Sequence, residues 1–409
     1  MFSKKLICLK EEVLQEIAPQ FAAIDKRAEE NTLKVLQAMQ EEKISAAHFS
    51  VSNGYAYDDI GRDKLDKVFA RVFGAEKALV RQQFVSGTHA LAAVLFGILR
   101  PGDELLSVTG EPYDTLQKVI GAQGKSAGSL AEFGVHYAEV PLKDGEVDYA
   151  GIARAITAKT KIAMVQRSRG YNSRRSLLTE DIEKIVAVVK KANPACIVFV
   201  DNCYGEFVQT CEPIKVGADI CAGSLIKNPG GGIAPTGGYA VGRADLIDLV
   251  SYRLTAPGIG GEVGASLSSN RLFFEGLFLS PHTVAQALKS AIFAAGLFDK
   301  LSYNVSPTVN EQRGDIIQIV ELKTPEKVTA FARGLQRYSP VDSFASPTAW
   351  DMPGYDDRVI MAAGTFVQGA SIEISADAPM REPYNVYLQG GLVFEHSILA
   401  IMGAAEEII

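Results

Sequence analysis

The chain has 409 residues, 47% of them apolar and 22% charged, an ordinary globular balance that excludes a disordered or fibrous chain. Its 41 basic residues against 48 acids leave a net charge of −7, which favours solubility and argues against a nucleic-acid backbone as partner. The five cysteines form no CxxC pair, and the seven residues between Cys203 and Cys211 and the nine between Cys211 and Cys221 match no zinc spacing, so they read as reduced thiols of a cytoplasmic protein.

The N-terminal stretch carries acids early and is short of apolar length, so it does not read as a secretory signal. Residues 9–47 read as one helix, because Leu14, Ile17, Phe21, Ile24, Leu33, Leu36 and Met39 recur at three and four with charge on the other face. A Gly/Tyr/Asp-rich stretch from Ser50 to Asp63 has loop chemistry, and a helix is expected from Lys64 to Phe73. From residue 78 the pattern alternates. The extended run Ala78–Val85 leads into a helix over 88–99 and the strand candidate Glu104–Val108. Helix 114–121 precedes the run Val135–Val140, helix 148–157 precedes Lys161–Gln166, and helix 179–192 precedes Cys196–Val200. Two short runs follow, Ile220–Leu225 and Gly237–Val241. Apolar strands without alternation, separated by helices, predict a mostly parallel sheet covered on both faces. A long helix is expected at about 271–301. After it, strand candidates 316–321, 359–361, 370–374 and 384–389 mix with helices 324–337 and 393–408, which predicts a smaller C-terminal α+β domain. The expected organisation is an N-terminal helical segment and arm over 1–60, a large α/β domain over 61–300, and the small domain over 301–409. The longest apolar runs, Leu91–Leu99 and Ala291–Phe298, fall far below the roughly 18 residues of a membrane span.

Three motifs fail. Gly124-Lys125-Ser126 resembles the end of a P-loop, but the motif's first glycine would fall at Val119, inside a helix. Gly258-Ile259-Gly260-Gly261-Glu262-Val263 lacks the third glycine of a dinucleotide fingerprint and follows no strand. No HExxH occurs.

Four pieces hold together in one order. Ser86-Gly87-Thr88 opens an apolar helix, where free N–H groups and the helix dipole make an anion cradle; the same serine is also an ordinary N-cap. Tyr113 stands just past the strand Glu104–Val108. Asp201 ends the strand Cys196–Val200, at the edge where α/β folds bind ligands; a carboxylate there is costly to desolvate without a cation, though Asp201-Asn202 also suits a turn. Lys227 follows the strand Ile220–Leu225 and precedes Gly230-Gly231-Gly232, a run that needs unusual backbone angles. Pyridoxal phosphate requires this set: a phosphate cradle, an aromatic against its ring, an acid at its pyridine nitrogen and a lysine to hold it as an imine. Lys227 would also shuttle the substrate proton, provided the site lowers its pKa. The 26 residues from Asp201 to Lys227 allow both to stand at adjacent strand ends.

At Val200-Asp201-Asn202-Cys203-Tyr204-Gly205-Glu206-Phe207 and from Gly223 to Tyr239, the sequence resembles the pyridoxal-phosphate enzymes of the Cys/Met metabolism group, the cystathionine lyases and synthases and methionine gamma-lyase. It is most similar to their aluminium-resistance, cystathionine beta-lyase-like branch, from Tyr55 to the end. The resemblance implies the α/β PLP-transferase fold type I. It implies Lys227 as cofactor lysine, Asp201 on the ring nitrogen, Tyr113 on the ring, and Ser86, Gly87, Thr88 and Ser224 at the phosphate. It also implies that Tyr57 reaches the phosphate of a neighbouring subunit. Asp59 stands where the group has an arginine, with Arg62 as candidate substitute, and Ile226 replaces the threonine before the cofactor lysine. A small-domain arginine grips the substrate carboxylate in the group, because a guanidinium fork matches it; Arg381 is the candidate. Gln166-Arg167-Ser168-Arg169-Gly170-Tyr171 departs from the group's Glu-x-Pro-x-Asn-Pro, and Arg167 and Arg169 read as contacts to substrate or cofactor, Arg169 first. The implied protein is a cytoplasmic homo-oligomer, dimer or tetramer, with a shared active site. Its implied activity is β- or γ-elimination of a C–S bond in an amino acid, with no nucleic-acid, membrane or metal partner. An aminotransferase, a racemase or a cofactor-binding regulator are the alternatives.

Overall fold

In the computed structural model, which describes residues 2–124, 126–352 and 355–409, the apolar runs of the middle third become one seven-stranded sheet. Its strands are β1 (Lys77–Arg81), β2 (Glu104–Ser107), β3 (His136–Glu139), β4 (Thr160–Gln166), β5 (Ile197–Asp201), β6 (Ile220–Ser224) and β7 (Gly238–Gly242), in the spatial order β1-β7-β6-β5-β4-β2-β3. The block β3-β2-β4-β5-β6 is parallel. All five residues of β5 and of β6 are buried, which explains why these strands show no in–out alternation in the sequence. Two cores result, one on each face of this sheet.

β7 departs from the parallel expectation: it pairs antiparallel with both β6 and β1. The segment joining β6 to β7 contains only a short 3-10 turn, Asn228–Gly230, and no crossover helix. A parallel return needs such a crossover, so the chain reverses, and the reversal forms the loop that carries Lys227. The P-loop-like Gly124-Lys125-Ser126 includes Lys125, which lies outside the described residues.

The smaller sheet has the strands β8 (Asn304–Ser306), β9 (Gln318–Glu321), β10 (Val359–Ala362), β11 (Ser375–Pro379) and β12 (Asn385–Gln389), all antiparallel in the order β10-β11-β12-β9-β8. The strand expected at 370–374 is instead a series of turns. Ile372 and Ile374 are buried as a strand pattern demands. Glu373, however, accepts hydrogen bonds from the backbone N–H of Phe366 and Val367, at 2.8 and 2.9 Å, which folds the segment back on itself.

The helix expected over 9–47 is two helices, Lys4–Glu16 and Ala18–Glu41, that meet at Ile17. Pro19 sits in the first turn of the second, where its missing N–H costs nothing; inside a continuous helix it would clash with the preceding turn. The long helix Ser269–Lys300 runs through the core, with Pro281 inside it. No helix among the described residues is long and apolar enough to cross a membrane.

Candidate active site

The site is assembled where strands end. β5 stops at Asp201, which is buried and accepts a hydrogen bond from the Cys203 N–H at 3.1 Å. Burial pushes this carboxyl above the usual aspartate range, against the pull of Lys227 and Arg174. Three residues past β6, Lys227 projects its Nζ to 4.2 Å from the centre of the Tyr204 ring. The glycines after it are needed for packing as well as for backbone angle. A Cβ on Gly230 would lie 1.7 Å from the Leu225 carbonyl oxygen, and one on Gly231 (φ +57°) 2.4 Å from that of Gly276 in the long helix. The loop is therefore pinned at a backbone-to-backbone contact that no side chain fits.

Opposite stands the start of the helix Gly87–Ile98. Ser86 caps it, its Oγ accepting from the His89 N–H at 3.1 Å, and Thr88 shares a hydroxyl contact of 3.0 Å with Thr115. A Cβ on Gly87 would approach Ser224 Cβ to 3.2 Å and Cys203 Sγ to 3.6 Å. Beside that gap the Ser224 hydroxyl is buried with no hydrogen-bond partner. Tyr113 closes the next side. Its N–H donates to Gln166 Oε1 at 2.7 Å, its hydroxyl meets that of Tyr355, and burial holds its phenol neutral, well above the ordinary range. Gly87, Thr88, Tyr113, Asp201, Tyr204 and Lys227 line one narrow cavity of about 60 Å³. A cleft of about 540 Å³ between residues 63–81 and 247–262 is larger, but none of these groups reaches it.

Burial alone would lower the Lys227 amine, yet Cys203, Tyr204, Asp201 and Glu206 together raise it above the ordinary lysine range. The thiol and phenol are themselves pushed up and stay neutral near pH 7, which leaves the carboxyls, Asp201 foremost, as the counter-charge to the amine. This corrects the expectation of a lowered Lys227. Glu206, missed in the sequence reading, is buried beneath the lysine loop; its Oε1 accepts from the Tyr239 hydroxyl at 2.7 Å, and burial drives its carboxyl up to about 8.

The predicted arginines lie elsewhere. Arg169 is fully buried and donates to Ser306 at 2.8 Å to the carbonyl and 3.1 Å to the hydroxyl. Arg167 donates to Asn202 Oδ1 at 2.8 Å and to Gln209. Neither lines the cavity: a desolvated guanidinium seeks acceptors for its donors, and those found here are inside the fold, although the Arg169 Nε stays without a partner among the described residues. Arg62 is likewise engaged within its own chain, holding Asp63 and the Ala56 and Gly264 carbonyls. Arg381 sits on the exposed rim in an ion pair with Asp357 at 2.7 Å. Tyr57 is 64% exposed and stays outside the cavity of its own chain. Arg174, also missed, donates to the Gln166 and Ser168 carbonyls and is one of the cations that act on Asp201.

A family model for methionine gamma-lyase matches residues 6–409. The chain belongs to the methionine gamma-lyase family. It is 52% identical over 400 residues to the uncharacterized protein YnbB of Bacillus subtilis, spanning 97% of this chain and 95% of that one. The structure of a carbon-sulfur lyase involved in aluminum resistance from Clostridium novyi NT superposes with a TM-score of 0.96 at 51% identity, over 100% of this chain and 97% of that one. The L-methionine gamma-lyase of Pseudomonas putida is 27% identical over 219 residues, 53% of this chain and 48% of that enzyme. A pyridoxal-5'-phosphate dependent protein, YhfS of Escherichia coli, shares the fold at a TM-score of 0.61 and 17% identity, covering 93% of this chain. The fold is thus PLP-transferase fold type I, and the family's cofactor is pyridoxal phosphate. The residues present fit that cofactor: an orphaned Ser224 hydroxyl beside a gap kept open by Gly87 at a helix start suits a phosphate, and an amine and a carboxyl line the same cavity.

Proposed function

We propose that the chain is a pyridoxal-phosphate-dependent carbon-sulfur lyase acting on a sulfur-containing amino acid. The observation that carries this is the convergence of Lys227 and Asp201, from two adjacent parallel strand ends, on a cavity whose far wall ends in a helix N-terminus. When bound, the cofactor supplies an aromatic electron sink for negative charge at the substrate α-carbon. Lys227 Nζ holds the cofactor and moves the α-proton. Asp201 stands as the counter-charge for a protonated ring nitrogen. Ser224, Gly87 and Thr88 grip the phosphate, and Tyr113, kept neutral by burial, offers its ring as a wall. Membership of the family supports elimination over transamination among the reactions such a site could run, since the fold alone fixes none of them.

Given cystathionine, cysteine and methionine, the loaded protein should release thiol or sulfide together with ammonia and a keto acid. Transfer of the amine to an added keto acid without thiol release would contradict the lyase reading.

We also infer that residues 51–60 complete the site of a neighbouring copy. Val51, Tyr55, Tyr57 and Ile60 are exposed, although the segment is firmly held: the Gly264 N–H donates to the Tyr55 carbonyl at 3.1 Å, and Arg62 to that of Ala56 at 2.9 Å. A rigid segment that exposes two tyrosines and two aliphatics supports a protein partner. Light scattering is expected to give a dimer or tetramer mass; a monomer at working concentration would refute it.

A further inference from the structure

The small-domain wall beside the cavity offers an acid where a substrate-gripping arginine was expected. Asp377, in β11, is only 6% exposed. Its Oδ2 accepts from the Tyr171 hydroxyl at 3.1 Å and from Gln389 Nε2 at 3.0 Å, while its Oδ1 is buried with no partner. Tyr171 packs on Tyr113 with ring centres 5.6 Å apart, on Tyr355 at 5.9 Å and on Tyr387 at 5.0 Å. The charge of Asp377 acts on the cavity groups Tyr113 and Tyr204, and among the described residues the cation that acts on it is Lys227. That amine is committed to the cofactor. A buried carboxylate with a vacant oxygen, next to a cluster of tyrosines, is chemistry for an ammonium ion: the oxygen accepts a charge-assisted hydrogen bond, and a neighbouring ring face would add cation–π attraction. Arg381, the group that would call for an anion, turns outward to Asp357.

We propose that the site selects amino acids carrying a second, side-chain ammonium group, and that Asp377 is the residue that reads it. This rests on reading the Lys227 cavity as an amino-acid site. Burial raises the Asp377 carboxyl to about 6, which leaves it mostly ionised at pH 7.5.

The test is calorimetric binding of L-lysine and L-norleucine to the cofactor-loaded protein at pH 7.5. The two differ by the terminal ammonium, and neither has a leaving group to eliminate. Lysine is expected to bind about ten-fold tighter or more, the size of one charged hydrogen bond. In Asp377→Asn the two affinities should converge, with norleucine binding unchanged as the sign of an intact fold. Equal binding to the wild-type protein, or a lysine preference that survives in Asp377→Asn, would overturn the proposal; the wild-type comparison decides even if the variant does not fold. Thiol release without a lysine preference would sink this inference and leave the lyase reading standing, whereas a lysine preference without thiol release from any sulfur amino acid would do the reverse.

Discussion

Lys227→Ala is expected to abolish covalent retention of pyridoxal phosphate and to cut turnover by roughly 10²–10⁴-fold, the loss that follows removal of a positioned proton-transfer group. The fold should survive. Lys227 lies in a loop, and its amine rests over the Tyr204 face. Removing its charge leaves Asp201 and Glu206 to take up protons, which burial already favours for both, so no bare buried charge remains. Borohydride reduction followed by intact-mass measurement, with circular dichroism as the fold control, reads all of this. A variant that still fixes the cofactor covalently at the wild-type level would show that another lysine carries it.

The second large effect belongs to Asp201. Asp201→Asn keeps the shape and the acceptor for the Cys203 N–H but removes the negative charge. Without it, nothing opposite the ring nitrogen favours the protonated form that draws electrons from the α-carbon, and turnover should fall about 10²–10³-fold, as for loss of one preorganised electrostatic contact. Covalent attachment at Lys227 should persist, so labelling and turnover separate in this variant while they fall together in Lys227→Ala. Unchanged turnover in Asp201→Asn would remove the acid from the proposed chemistry.

Much of the frame could be read from the residues because their local signals agree with their tertiary roles. The helix Thr179–Ala192 falls at its predicted bounds, with Glu180 and Asp181 in its first turn and Lys190 and Lys191 in its last, as the dipole favours. Asp201 and Lys227 were legible because each directly follows a continuous apolar run, and such runs in parallel sheets end at one edge. The arginines were not legible in the same way. A sequence shows that Arg167 and Arg169 leave β4 together, but the direction of each guanidinium depends on acceptors supplied from far along the chain, Gln209 for one and Ser306 for the other. The turn at 370–374 was hidden for a related reason: its alternating Ile372 and Ile374 imitate a strand, and the deciding contact is a side chain, Glu373, bonded to backbone several residues earlier. Asp377 gave only a weak cue, an acid within the apolar-to-small run of β11, and its significance comes from the tyrosines gathered around it. Tyr204 was inside the most family-like stretch, yet only its position under the Lys227 amine, with a backbone φ of +70°, marks it as part of the site.

The account stands on one attachment point, and peptide mapping of the cofactor-loaded protein after borohydride reduction tests it most directly. The pyridoxyl mass should fall on the single peptide containing Lys227. A label on a different lysine, or no labelled peptide from a loaded preparation, would contradict it.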